Sequence, residues 1–224
     1  MNIIKKILQH SWLSILYANF RLLPFKQAIL FPIDVYHRLR IESNNGKIII
    51  DAPHVYRGMI KIGSQGSEMF PHQLETVLRI DGKWHCNGRV VIGIGSCIRV
   101  ENGAVLVTED NVILGARSIL FCVGEIVIHK DFLSSWDCLI MDTDRHKVIC
   151  KDTGEINNTD IRIEIGEHTW LGNAVCVNKG SIIPPNSIVA SHSLCNKDYS
   201  QNGPNCLFAG IPAKLQKCNV AWRK

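Results

Sequence analysis

Between Ile140 and Ile163 runs a polar stretch, MDTDRHKVICKDTGEINNTDIR, whose side chains could move a proton. His146 stands in it, with Asp144 and Asp142 just upstream. Imidazole titrates near neutral pH, so it can take a proton from an attacking group and release it again, a contribution typically of about 10²–10⁴-fold in rate. A neighbouring carboxylate, Asp142 or Asp144, could hold the ring in the productive tautomer or accept a hydrogen bond from a substrate hydroxyl. Asp142 could equally do no more than shape the turn leaving Ile140, and an isolated loop histidine is usually a solvated side chain. No Ser/His/Asp or Cys/His order stands out, which favours direct transfer over a covalent enzyme intermediate. Cys150 lies in an apolar trio, Val148-Ile149-Cys150, and reads as packing.

The flanking sequence must hold that loop. From Ile163 to Val189 an aliphatic residue recurs every six positions: Ile165, Leu171, Val177, Ile183, Val189. A second set lies two residues ahead of each, at Ile163, Thr169, Val175, Ser181 and Ser187. Neither a helix nor a single long strand repeats every six residues, whereas short strands joined by regular corners do, as in a parallel β-helix. The same register occurs upstream at Ile94, Val100, Leu106 and Val112, slips at Ser118, and resumes at Ile128, Ser134 and Ile140. Asn, Asp and Gly cluster between these positions, as corners with φ > 0 require. The β-rich runs Lys47–Ile50, Met59–Gly63 and Glu75–Ile80 read as earlier, less regular coils. A long loop leaving such a rigid scaffold is where binding and catalytic groups tend to sit.

The 224 residues suit one domain plus an appendage: residues 1–45 as an N-terminal helical cap and 46–224 as the β-helix, with the loop at 141–162. With 46% apolar and 20% charged residues the chain is an ordinary globular one. A formal charge of +5 without a dense Lys/Arg run permits phosphorylated ligands and argues against nucleic acid. The nine cysteines show neither a C-x-x-C pair nor zinc-type spacing. Cys97, Cys138 and Cys176 lie in apolar repeat segments, as reduced small hydrophobes would, which points to the cytoplasm.

The apolar stretch after Lys5 and Lys6 is too short and too interrupted by polar residues to span a membrane. Over residues 3–23, Ile4, Ile7, Leu8, Trp12, Ile15, Leu16 and Leu23 fall near helical spacing. Two readings stand: a lid on the end of the solenoid, or a helix resting on a membrane at its inner face with Trp12 and Tyr17 at the headgroups. The last residues, 215–224, are expected to close the fold as a short helix or strand.

Trp170-Leu171-Gly172 in register, Asp142-Thr143-Asp144-Arg145-His146 upstream, and Ala209-Gly210-Ile211-Pro212-Ala213-Lys214 downstream together resemble the hexapeptide-repeat acyltransferases. Within them the sequence is similar to the sugar O-acetyltransferases of bacterial capsule and O-antigen glycans, over roughly residues 90–217; Phe20–Lys26 resembles a stretch of the capsule-type members. The resemblance implies a left-handed parallel β-helix, a hand contrary to the usual crossover rule. It further implies a homotrimer with sites between subunits and acetyl-CoA as donor, with no metal. By matched position His146 is the catalytic base. Trp170, Asn173 and the Ala190-Ser191 backbone flank the coenzyme's pantetheine arm, with the Trp170 ring facing outward. Lys197, Lys214 and Lys217 fall where the family places basic residues near the nucleotide phosphates.

Other readings remain open at this point. The acceptor could be an amine on a nucleotide-linked amino sugar rather than a sugar hydroxyl. The γ-type carbonic anhydrases share the scaffold and bind zinc through histidines, and this chain has His129, His146, His168 and His192. A non-enzymatic β-helix adaptor would use the loop only as a binding surface.

Overall fold

Each six-residue repeat folds as one short strand and one corner. A computed structural model describes residues 11–43, 45–66, 68–156 and 161–223, so Ile4, Ile7 and Leu8 lie outside the described residues. The strands form three sheets, of nine, seven and six strands, here called A, B and C. The chain visits them in turn, for example Val112–Leu114 in A, Ile119–Cys122 in B and Glu125–Ile128 in C, and then returns to A one level along. Strands stacked within a sheet pair in parallel; the exception is the last hairpin, where Lys214–Cys218 runs antiparallel to Cys206–Ala209. This is a three-sided parallel β-helix.

Alternate side chains of a strand point to opposite faces, so both periodic sets can face inward. Ile165, Leu171, Val177, Ile183 and Val189 are buried, and so are Ile163, Thr169, Val175, Ser181 and Ser187. Each buried aliphatic side chain contributes about 1.5–3 kcal/mol. The serines of the second set sit at corners and satisfy themselves locally: Ser181 Oγ donates to the Asn178 carbonyl at 2.6 Å and Ser187 Oγ to that of Pro184 at 2.7 Å. Ser118, where the pattern slips, is buried all the same, its hydroxyl accepting the Cys138 N–H at 3.1 Å. At the corner from C to A, Asn111, Asp131, His168, Asn186 and Asn205 all adopt positive φ. Such corners favour residues that tolerate the left-handed region.

The helix α1 (Trp12–Leu22) and the short α2 (Phe25–Ala28) close one end. Ile15, Ala18, Asn19 and Leu22 face the solenoid. Asn19 stands in for a further strand: its Nδ2 donates to the Ile33 carbonyl at 2.7 Å and its Oδ1 accepts the Ile33 N–H at 3.0 Å. The Ser11 N–H donates to the Val35 carbonyl at 3.1 Å. The otherwise open edge of the first strand is thereby covered.

Two expectations are corrected. The β-helix begins inside residues 1–45, with strands Ile33–Val35 and Arg38–Ser43. Leu39 and Ile41 alternating with Arg38, Arg40 and Glu42 carry a period of two without the six-residue register. Of the three cysteines expected as core, Cys138 is buried, whereas Cys97 and Cys176 lie half-buried on the outer face of sheet B. All nine are free thiols. Among the described residues no helix is long and apolar enough to cross a membrane. The closing element at the C-terminus is the strand Lys214–Cys218.

Candidate active site

The excursion leaves sheet B after Leu139–Met141 and rejoins the solenoid in sheet C at Ile163–Ile165. Its root is gripped from the coil before and the coil after. The buried Asp142 carboxylate accepts the N–H groups of Val123 and Gly124, both at 2.8 Å. Burial pushes its pKa up, and those two N–H donors oppose the shift. The Asp142 carbonyl accepts the Ile161 N–H at 3.1 Å, so both ends of the loop meet there. Thr143 Oγ1 accepts the Arg145 N–H at 2.9 Å. The Arg145 guanidinium lies over the Phe121 ring, 4.9 Å from its centroid. From the following coil, Lys179 pairs with Asp144 at 2.5 Å. His146 is the next residue along this pinned turn, and its side chain is exposed.

Among the described residues neither carboxylate holds the His146 ring; Asp142 shapes the turn leaving Ile140, the alternative reading of it. Both Asp142 oxygens hold backbone, and Asp144 is turned to Lys179, so among the described residues neither bonds the His146 ring. Cys150 is also corrected. Beyond His146 the loop forms a small hairpin, with Ile149 bridged to Ile156 and the Cys150 N–H donating to the Glu155 carbonyl at 2.8 Å. Its flanks have no core to enter, and Val148, Ile149 and Cys150 are all exposed. Hydrogen bonds to Thr153 lower the Cys150 pKa.

The second group of expected residues gathers at the A-to-B corner. Trp170 lies on the outer face of sheet A between Leu133 and Ile188, half-buried, its Nε1 donating to Ser135 Oγ at 3.2 Å. The ring is flanked by Trp222, centroid to centroid 6.1 Å. Trp222 stacks on His168 at 4.5 Å and donates its Nε1–H to the His168 carbonyl at 2.9 Å. Asn173 is half-buried and Ser191 exposed. The Ala190 N–H already donates to Phe208 at 2.9 Å. Gly172 lies directly beneath this pair: a Cβ there would come within 2.6 Å of the Ser191 nitrogen. Glycine therefore sets how closely these two coils approach.

The three lysines are divided. Lys197 follows Leu194–Cys195 at the B-to-C corner, its ammonium 5.4 Å from the Tyr199 ring centroid. Lys214 and Lys217 lie exposed on the strand that extends sheet A. One chain thus holds His146 and Lys197 along one edge and Trp170, Asn173, Ala190, Ser191, Lys214 and Lys217 on or beside sheet A. Between them lies the outer face of sheet B, where Cys97, Ile119, Leu139, Cys176 and Leu194 align in register as an apolar row. Ile119 is 45% exposed. The histidines are likewise spread: His129 and His168 at the C-to-A corner, His192 at the A-to-B corner and His146 on the loop. His129 is clamped at 3.0 Å by Glu109 on Nδ1 and by Glu164 on Nε2.

Lys179, Phe121 and Trp222 were not foreseen. Nothing local in sequence ties Asp144 to Lys179; the pairing follows only from counting coils around the excursion.

No protein-family model matches the chain. It is 27% identical over 142 residues to an uncharacterized protein in the cps region of Klebsiella pneumoniae, covering 63% of this chain and 61% of that one. It is 30% identical over 174 residues to a probable acetyltransferase of Mycobacterium tuberculosis, covering 74% of this chain and 52% of that one. It is 25% identical over 148 residues to a putative lipopolysaccharide biosynthesis O-acetyl transferase of Escherichia coli, covering 62% and 74% respectively. The chain thus spans between half and two-thirds of the length of the first two of these relatives. A crystal structure of a polysialic acid O-acetyltransferase overlays with a TM-score of 0.45 at 23% identity, covering 86% of this chain and 77% of that one. The chain is thus a three-sided parallel β-helix wound from six-residue repeats, similar in sequence over 174 residues to a probable acetyltransferase.

Proposed function

We propose that the protein is an acetyl-CoA-dependent O-acetyltransferase acting on a sugar hydroxyl of a bacterial surface glycan, with His146 as general base. The observation that carries this reading is the pinned turn: Asp142, Asp144 and Arg145 are each fixed to neighbouring coils, Thr143 braces Arg145 within the turn, and the residue they present to solvent is a histidine. The names of the Escherichia coli and Mycobacterium tuberculosis relatives support acetyl transfer, and the first of them supports a glycan oxygen as acceptor.

In the proposed reaction the acceptor oxygen attacks the thioester carbonyl as His146 Nε2 or Nδ1 takes its proton. The C–O bond forms, the C–S bond breaks, and the imidazolium returns the proton to the departing thiolate. The products are the acetyl ester and the free coenzyme thiol. Asp142 and Asp144 serve as positioning residues, the first by holding the loop root and the second by its pair with Lys179. Trp170, Asn173, Ala190 and Ser191 line the pantetheine arm, and Lys197, Lys214 and Lys217 face the nucleotide phosphates as point charges. These halves lie on different edges of one chain, and a left-handed homotrimer packed through the apolar row of sheet B reunites them between neighbours. The protein works on the cytoplasmic side, where acetyl-CoA is made.

The test is acceptor-dependent thiol release from acetyl-CoA across a panel of sugars and amino sugars. The reading expects turnover with a hydroxyl acceptor and an ester in the product. Turnover confined to amine acceptors, or none with any sugar, overturns it.

A further inference from the structure

The cap carries more apolar surface than capping requires. A helix lid needs one apolar stripe, and Ile15, Ala18, Asn19 and Leu22 already supply it. On the other side of α1, Trp12, Leu13, Leu16, Tyr17 and Phe20 follow one another at helical spacing, each at least 44% exposed and Leu13 83% exposed. Phe25, the first residue of α2 and 71% exposed, has its ring centroid 6.0 Å from that of Phe20, and Ile29 and Leu30 follow just after α2. Contiguous apolar surface of this kind marks an interaction site, whereas single exposed residues do not.

The charge of this stretch of chain selects the occupant. Residues 1–33 contain no Asp or Glu, and Asp34 is the first acid of the chain. The same stretch contains Lys5, Lys6, Arg21 and Lys26, four cations against no acids in a chain with a formal charge of only +5. Arg57, from outside the cap, lies over the Trp12 ring at 5.9 Å. An apolar face bearing Trp and Tyr, on a stretch of chain that carries cations and no acids, with Arg57 over Trp12, matches the boundary between acyl chains and anionic headgroups. Among the described residues no helix can cross the bilayer, so contact would be with its surface.

We propose that the outer face of the cap docks on the surface of an anionic phospholipid bilayer, with α1 lying in the interface. This inference does not rest on acetyl transfer, and its test reads binding rather than turnover.

The test is flotation of the full chain with vesicles of phosphatidylcholine and phosphatidylglycerol in equal parts, against vesicles of phosphatidylcholine alone. Binding is expected to the anionic vesicles and to fall as salt is raised. Leu13→Glu with Leu16→Glu should weaken it by about tenfold or more. Both side chains face solvent, so the melting temperature should stay unchanged. Arg21→Ala with Lys26→Ala should weaken binding and flatten its salt dependence. Failure of the wild type to float with anionic vesicles overturns the proposal, as does equal, salt-independent binding to both vesicle types. A smaller assembly of the Leu13→Glu variant by light scattering also overturns it, because the face would then be covered by another copy of the chain.

Discussion

Among the described residues, His146 owes its placement to side chains that do not bond its ring. Asp142 is buried with both oxygens committed to the N–H groups of Val123 and Gly124. Asp142→Asn replaces one acceptor by an amide that faces a donor. It should cost about 1–3 kcal/mol of stability, read as a lower denaturation midpoint. If Asp142 acts only by holding the loop, the variant should turn over more slowly with an unchanged pH profile of kcat/KM. A shifted profile would instead make Asp142 part of the proton-transfer machinery. Lys179→Ala frees Asp144 from its pair. A severalfold fall in kcat is expected, with partial recovery in Lys179→Arg, measured by steady-state thiol release. The histidine and its aspartates could be found in the sequence because they stand in a polar run that interrupts a periodic one. Their partners could not, because Phe121 and Lys179 come from neighbouring coils and no local spacing announces a contact made across a loop.

Strands and corners show the same division. The core positions repeat because each coil presents the same inward site, so Ile165, Leu171, Val177, Ile183 and Val189 gave the period directly. The first coil, Ile33–Val35 and Arg38–Ser43, was hidden because it alternates without that period. The exposure of Cys150 was hidden because an apolar trio looks alike whether it enters a core or projects on a hairpin. At the A-to-B corner, Gly172→Ala would push against the Ser191 backbone and part the two coils. It should raise the KM for acetyl-CoA more than it lowers kcat. At the C-to-A corner, burial lowers the pKa of His129, but hydrogen bonds to Glu164 and Glu109 outweigh it and hold the value above the ordinary one. The clamp's contribution to stability is therefore fully present below the unfolded pKa of about 6.5 and is lost as pH rises through the raised folded value. The gap in melting temperature between wild type and His129→Gln should be wide at about pH 6 and narrow at about pH 8.5.

At the scale of the whole molecule, the solenoid is a rigid post with the proposed site residues on two of its edges and a lid with an apolar outer face at one end. The proposed assembly would bring the edges together. Ile119→Asp places a charge on the outer face of sheet B, where Ile119 is 45% exposed in the single chain. Light scattering should show a smaller species that keeps the β spectrum of the wild type but not its activity. In the proposed reaction His146 takes the acceptor's proton during acetyl transfer. The most direct test of that step is the rate of thiol release by His146→Ala, with acetyl-CoA binding followed by calorimetry on the same protein. A fall in kcat of about 10²–10⁴-fold with coenzyme affinity unchanged is expected. Full activity without the imidazole would contradict that role.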